Sequence, residues 1–313
     1  MASGQERILR RRIRSINSTK KITRAMELIA ASRIVRAQAR VHAAAPYADQ
    51  ITQVVQDLAT AGAASDSPLL VPRPEIRKVA HVVVAADRGL CGGYNSSVFR
   101  AAEGEIRAHR DQGQDYELVV VGRKTESYFR YRNYRIMDAL TGFSDQPSYE
   151  DARRIAHAVE GPFLRGDVDK VQLIYTRFAS AGFQEVVVRP LMPLDPETLE
   201  THTVREGPAP DYEFEPSASE ILERLLPRYA EARVYAALLN AAASEHAARQ
   251  RAMKSATDNA EDLIVSLTRT MNRARQDAIT TEIMEIVGGA EALRAGKSER
   301  RDTAAAEYFD KTA

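Results

Sequence analysis

The sequence predicts an α/β protein in which a small, mostly parallel, Rossmann-like domain is inserted between two long helices that pair as an antiparallel coiled coil. Three observations carry this reading. The segment from Gln5 to Ala45 contains neither Gly nor Pro. The segment from Ser217 to Val287 contains no Gly and a single proline, Pro227. Between them, β-branched runs alternate with helical stretches.

The N-terminal helix is read over residues 1–62. Its apolar residues Leu9, Ile13, Ile16, Ile22, Met26 and Ile29 fall at helical spacing. Ser3 with Glu6 three residues on forms a candidate capping box. Pro46 should kink the helix rather than end it, because Tyr47 to Ala61 resumes the pattern. From Gln5 to Ala45 alone the helix would span roughly 60 Å, more than an ordinary globular helix.

The inserted domain is read over residues 76–194. Val79–Ala86 and Glu117–Val121 are β-branched runs suited to buried parallel strands, and Val171–Arg177 and Glu185–Pro190 look like two more. Helical stretches at Ser96–Gln112, Lys124–Arg132 and Tyr149–Leu164 separate them, so both faces of the sheet should be covered. Residues 195–216, with Pro196, Pro208, Pro210 and Pro216, read as an acidic, extended connector.

The C-terminal helix is read over residues 217–290. Met253, Ala256, Ala260, Leu263, Leu267, Met271, Ala274 and Ala278 recur in steps of three and four. Around 70 helical residues would reach roughly 105 Å. So narrow a stripe needs a partner, and the other long helix is the obvious one. Its many alanines imply close backbone approach. Gly288-Gly289 is expected to stop the helix, leaving residues 291–313 as a disordered or loosely helical tail.

Composition narrows the function classes. The chain has 313 residues and a net charge of +1, with 28 % charged and 44 % hydrophobic residues, so it reads as soluble and foldable. The balance hides an asymmetry: residues 1–40 hold eleven Lys or Arg against Glu6 and Glu27. A basic helix can serve nucleic acid, a membrane surface or an acidic protein partner. Residues 1–40 contain no Phe, Tyr or Trp, which argues against nucleic acid. The lone Cys91 excludes an intrachain disulfide. No run of ~20 apolar residues is present, so membrane attachment is expected through partners only.

No catalytic constellation emerges, and no catalytic, cofactor-binding or metal-binding residue is assigned. The turn Asp87-Arg88-Gly89-Leu90-Cys91-Gly92-Gly93-Tyr94-Asn95 follows a strand and precedes a helix, where a dinucleotide-binding loop would sit. Its spacing is G-x-x-G-G rather than G-x-G-x-x-G, and no Walker lysine follows, which favours a tight backbone turn. Cys91 at that helix start could be an activated thiol, but a small packing residue is the simpler reading. The six histidines are scattered singly.

Three blocks go beyond periodicity. Ile13 to Ser32 (IRSINSTKKITRAMELIAAS), the Asp87–Asn95 turn, and the pair Ala252–Ile264 and Ala274–Ala290 resemble, in that order along the chain, the γ subunit family of F-type ATP synthase. The resemblance runs from about Arg7 to Ala290. It implies a non-catalytic rotor shaft inside a hexameric head of α and β subunits, with the α/β domain near the ε subunit and the membrane c ring. Proton flow would turn ring and shaft, and the shaft would drive ATP synthesis or hydrolysis on β. It also implies a peripheral position on the cytoplasmic side of the cell membrane. The family's shaft positions that meet an acidic β-subunit loop match Arg249, Gln276 and Thr280 here, with Met26 matching a position close beside them. Two other readings stay open: a coiled-coil adaptor with no rotary role, and a nucleotide-binding α/β enzyme.

Overall fold

The computed structural model describes residues 2–60, 67–194, 215 and 217–310. Along the chain it has helix α1 (Ala2–Thr60), strand β1 (Lys78–Val84), α2 (Tyr94–Asp111), β2 (Asp115–Val121), α3 (Arg123–Tyr131), β3 (Asp138–Leu140), α4 (Tyr149–Arg165), β4 (Lys170–Phe178), β5 (Gln184–Met192) and α5 (Ala218–Asp310). These form two compact units, one of residues 25–254 and one of residues 1–24 with 255–313. The acidic connector lies outside the described residues except for Glu215.

In the larger unit a five-stranded sheet has the order β3-β2-β1-β4-β5. β1 pairs in parallel with both β2 and β4, β2 pairs in parallel with β3, and only β5 runs antiparallel. The central strands are Val-rich because both of their faces are buried. One face packs α2 and α3 through Val98, Phe99, Ala102, Ile106 and Phe129. The other packs α4 together with stretches of α1 (Ile51, Val55, Leu58) and α5 (Leu222, Leu226, Ala230, Val234). β3 escapes a sequence reading because Asp138-Ala139-Leu140 carries no β-branched residue.

The long helices pair antiparallel within each unit. In the larger one, Ala48 and Thr52 of α1 share a cleft with Tyr229 and Ala232 of α5, whereas Arg33 and Arg40 share one with Leu239 and His246. In the smaller one, the Thr23 and Thr257 hydroxyls meet at 2.8 Å and Lys20 pairs with Glu261 at 3.0 Å. Alanine makes the approach close: Ala237, Ala241, Ala242, Ala243 and Ala247 are all buried.

Two expectations about the helices need correction. α1 starts at Ala2, before the proposed Ser3 cap. α5 does not stop at Gly288-Gly289 but continues to Asp310, so residues 291–310 are helical, the second of the two readings of the tail. Each glycine costs a helix only about 1 kcal/mol relative to alanine. Both glycines have open space around them, and the following Ala290-Glu291-Ala292-Leu293-Arg294 are helix formers that carry the ladder onward. Pro46 likewise sits inside α1. An interior proline costs about 3 kcal/mol, and the burial of Ile51, Val55 and Leu58 just beyond it offsets that.

His81 is an unusual occupant of the central strand. Its ring is fully buried 5.4 Å from that of His109, and neither nitrogen has a hydrogen-bond partner among the described residues. Burial, and then the neighbouring His109 and Lys170 charges, push its pKa down to about 3. A depressed histidine stays neutral when folded but takes up a proton in the unfolded chain below pH ~6.5, so stability falls as pH drops from there towards the folded value. From pH 7 to pH 5 the loss should be about 2 kcal/mol. In His81→Leu, unfolding free energies from urea titrations at the two pH values should lie closer together by that amount. An unchanged gap would show that His81 does not set the acid sensitivity.

Candidate functional site

The Asp87–Asn95 turn is built around one carboxylate. Asp87 Oδ1 accepts the backbone N–H groups of Arg123 (3.0 Å) and Gly142 (2.9 Å), and Oδ2 accepts that of Ser144 (2.9 Å). Burial pulls its pKa upward, but these donors outweigh it and leave the group below the usual aspartate value. Asn95 Oδ1 accepts the Ala86 N–H at 3.0 Å, closing the turn across the start of α2. Gly92 has φ +58, and a Cβ there would touch Ala252 of α5 at 3.6 Å. Tyr94 donates its hydroxyl to the Ala241 carbonyl of α5 at 3.1 Å. The turn is thus a backbone clamp against α5.

Cys91 takes the packing role. It is buried, accepts from Asn95 Nδ2 at 3.4 Å, and burial raises its pKa despite the Arg249 charge. A thiol so held is a poor nucleophile.

The residues matched to the β-loop contact divide by environment. Arg249 is buried, donates to Glu245 Oε1 at 2.6 Å and reaches the Gly89 carbonyl at 3.4 Å. Glu245 also accepts from Ser144 Oγ at 3.2 Å, and burial holds its pKa above the normal glutamate value even with the guanidinium beside it. Arg249 is therefore engaged within the chain. Gln276 and Thr280 are exposed on α5, and the Thr280 hydroxyl donates to the Gln276 carbonyl at 3.0 Å. Met26 is half-buried on α1.

Sequence reasoning missed the residues that surround Arg249. Ser144 and Asp145 lie in the loop between β3 and α4. Ser144 Oγ accepts from the Asp87 N–H at 2.8 Å, Asp145 pairs with Arg33 of α1 at 2.8 Å, and the Asp145 carbonyl is 3.2 Å from His246 Nε2 of α5. These partners are scores of residues apart in sequence, so no spacing pattern announces them. Only the Glu245–Arg249 separation of four, the helical neighbour distance, was visible.

Two long, closely paired helices with an α/β domain inserted between them in the chain define a helical-stalk class of protein. A family model described as ATP synthase matches residues 5–293. The ATP synthase gamma chain of Frankia casuarinae is 54 % identical over 298 residues, covering 94 % of this chain and 99 % of its own length. That of Mycolicibacterium smegmatis is 49 % identical over 305 residues, covering 93 % and 98 %. Among solved structures, a chain of the Tetrahymena thermophila mitochondrial ATP synthase central stalk and c ring is 26 % identical, with a TM-score of 0.59, covering 75 % of this chain and 99 % of that one. A chain of the Euglena gracilis mitochondrial ATP synthase shares the fold at 18 % identity and a TM-score of 0.64, covering 94 % and 96 %. The chain belongs to the family of ATP synthase gamma chains, non-catalytic subunits of that rotary complex.

Proposed function

We propose that the chain is the rotor shaft that couples proton flow through a membrane c ring to nucleotide chemistry on β subunits. The observation that carries this is an apolar stripe that none of the described residues covers. Ile279, Ile283, Ile286 and Val287 are each about half exposed or more, at helical spacing along one side of α5. Such a stripe is the kind of surface a surrounding hexamer of α and β subunits would cover.

In this reading Gln276 and Thr280 meet an acidic β-subunit loop, with the Gln276 amide donating to a carboxylate at one rotational angle. Arg249, paired with Glu245, would meet a β subunit at a separate contact and only with the part of its guanidinium that Glu245 leaves free. Met26 would lie beside the Arg249 contact. A shaft that touches each β conformation with a different free energy biases the β equilibrium as it turns. The ε subunit and the c ring would hold the α/β domain, which puts the chain on the cytoplasmic side of the cell membrane as a peripheral subunit. No helix among the described residues is long and apolar enough to cross a membrane.

The test is Gln276→Ala, Thr280→Ala in the reconstituted complex. Losing one or two hydrogen bonds to a carboxylate, about 1.5 kcal/mol each, should slow ATP synthesis roughly tenfold or more while the isolated chain melts as before. Wild-type synthesis in the fully assembled double variant would sink the catch.

A further inference from the structure

We propose that Ser144 and Asp145 form a polar joint that fixes the angle between the α/β domain and the helix pair, so that torque passes between them without slip. The proposal rests on the rotor-shaft reading.

The two residues are consecutive, yet they engage three other elements. Ser144 is tied to the Asp87 turn through both its N–H and its hydroxyl, and the same hydroxyl donates to Glu245 of α5. Asp145 holds Arg33 of α1 through its carboxylate and His246 of α5 through its carbonyl. Domain, first helix and last helix therefore meet in one loop. Glu245, His246 and Ser144 are buried, so water does not compete for these bonds.

The position matters as much as the bonds. The apolar core that holds α5 on the face shared with α4 runs from Leu222 to Ala241, and the joint begins just beyond it. The free energy of apolar burial is non-directional, and packing alone leaves a helix crossing angle loose by about 15–20°. Hydrogen bonds and ion pairs are directional, and their geometry resists twisting and sliding. A shaft under load needs the second kind of contact where its helices leave the domain. Ser244 adds to it, donating to the Thr176 carbonyl of β4 at 3.1 Å.

The experiment uses complexes assembled with Ser144→Ala, with Arg33→Glu, and with the exchanged pair Arg33→Glu, Asp145→Arg. ATP hydrolysis without a gradient, and the proton gradient that hydrolysis sustains, are read in the same vesicles. Ser144→Ala and Arg33→Glu should keep most unloaded hydrolysis but lower pumping per ATP roughly twofold or more, and the exchanged pair should recover it. A merely structural role would lower the yield of assembled complex and leave pumping per ATP unchanged, and that result overturns the joint. Should Ser144→Ala fail to assemble, Arg33→Glu and its exchange decide alone, since that pair is partly exposed. If wild-type complexes hydrolyse ATP without pumping, the rotor-shaft reading itself fails, which is a separate outcome.

Discussion

Arg249→Ala should destabilise the chain by about 3–5 kcal/mol, because it strands the Glu245 carboxylate in a place that water does not reach. The side chains are 11 % and 2 % exposed, and the guanidinium sits 2.6 Å from Oε1. Desolvation already lifts the Glu245 pKa with the arginine present. Without it, the carboxyl must take up a proton or admit water, and either distorts the contact with Ser144. Replacing both partners, as in Glu245→Leu, Arg249→Met, should cost far less, since no charge is then left buried. Urea unfolding of the isolated chain followed by circular dichroism distinguishes the two. A single variant that melts with the wild type would show that the pair carries no such load. The consequence for function is direct: loss of activity in Arg249→Ala cannot be read as a lost partner contact until its folding is measured.

Gly122→Ala should be comparably damaging, by about 3 kcal/mol or more. Gly122 links β2 to α3 with φ +96 and ψ 139, a region open almost only to glycine. A Cβ there would lie 2.3 Å from the Ala85 carbonyl oxygen and 3.0 Å from two further backbone carbons. Backbone cannot swing aside as a side chain can, so the ends of β1 and β2 must part. The Gly122 N–H also donates to the Leu140 carbonyl at 2.9 Å, so the strain reaches β3. The expected result is a large drop in the urea midpoint with native secondary structure retained below it. A shift under about 1 kcal/mol would mean that the strand ends are softer than their burial implies.

Much of the fold is legible because it rests on local periodicity. The long stretches poor in Gly and Pro at both termini give long helices, and Val82-Val83-Val84 and Val119-Val120-Val121 give central strands buried on both sides. The alanine stripe of α5 announces a close antiparallel partner, and α1 supplies it. The reading fails where a local rule meets competition. Gly288-Gly289 does not stop α5, because two glycines cost less than the surrounding helix formers contribute. β3 has no propensity signal and exists because β2 offers it an edge.

The candidate site divides the same way. Sequence alone located the Asp87–Asn95 turn as a glycine-rich strand-to-helix junction, since that is a local property. It also determined that Gln276 and Thr280 lie on a helix, one turn apart. What it could not supply is environment. A Glu and an Arg four residues apart on a helix look like an exposed pair worth a few tenths of a kcal/mol. Only the packing of α5 against the β3–α4 loop and the Asp87 turn turned Glu245 and Arg249 into a buried pair with Ser144 as its third member. Burial and long-range hydrogen bonding depend on which distant segments the fold brings together, and one-dimensional spacing carries no record of that.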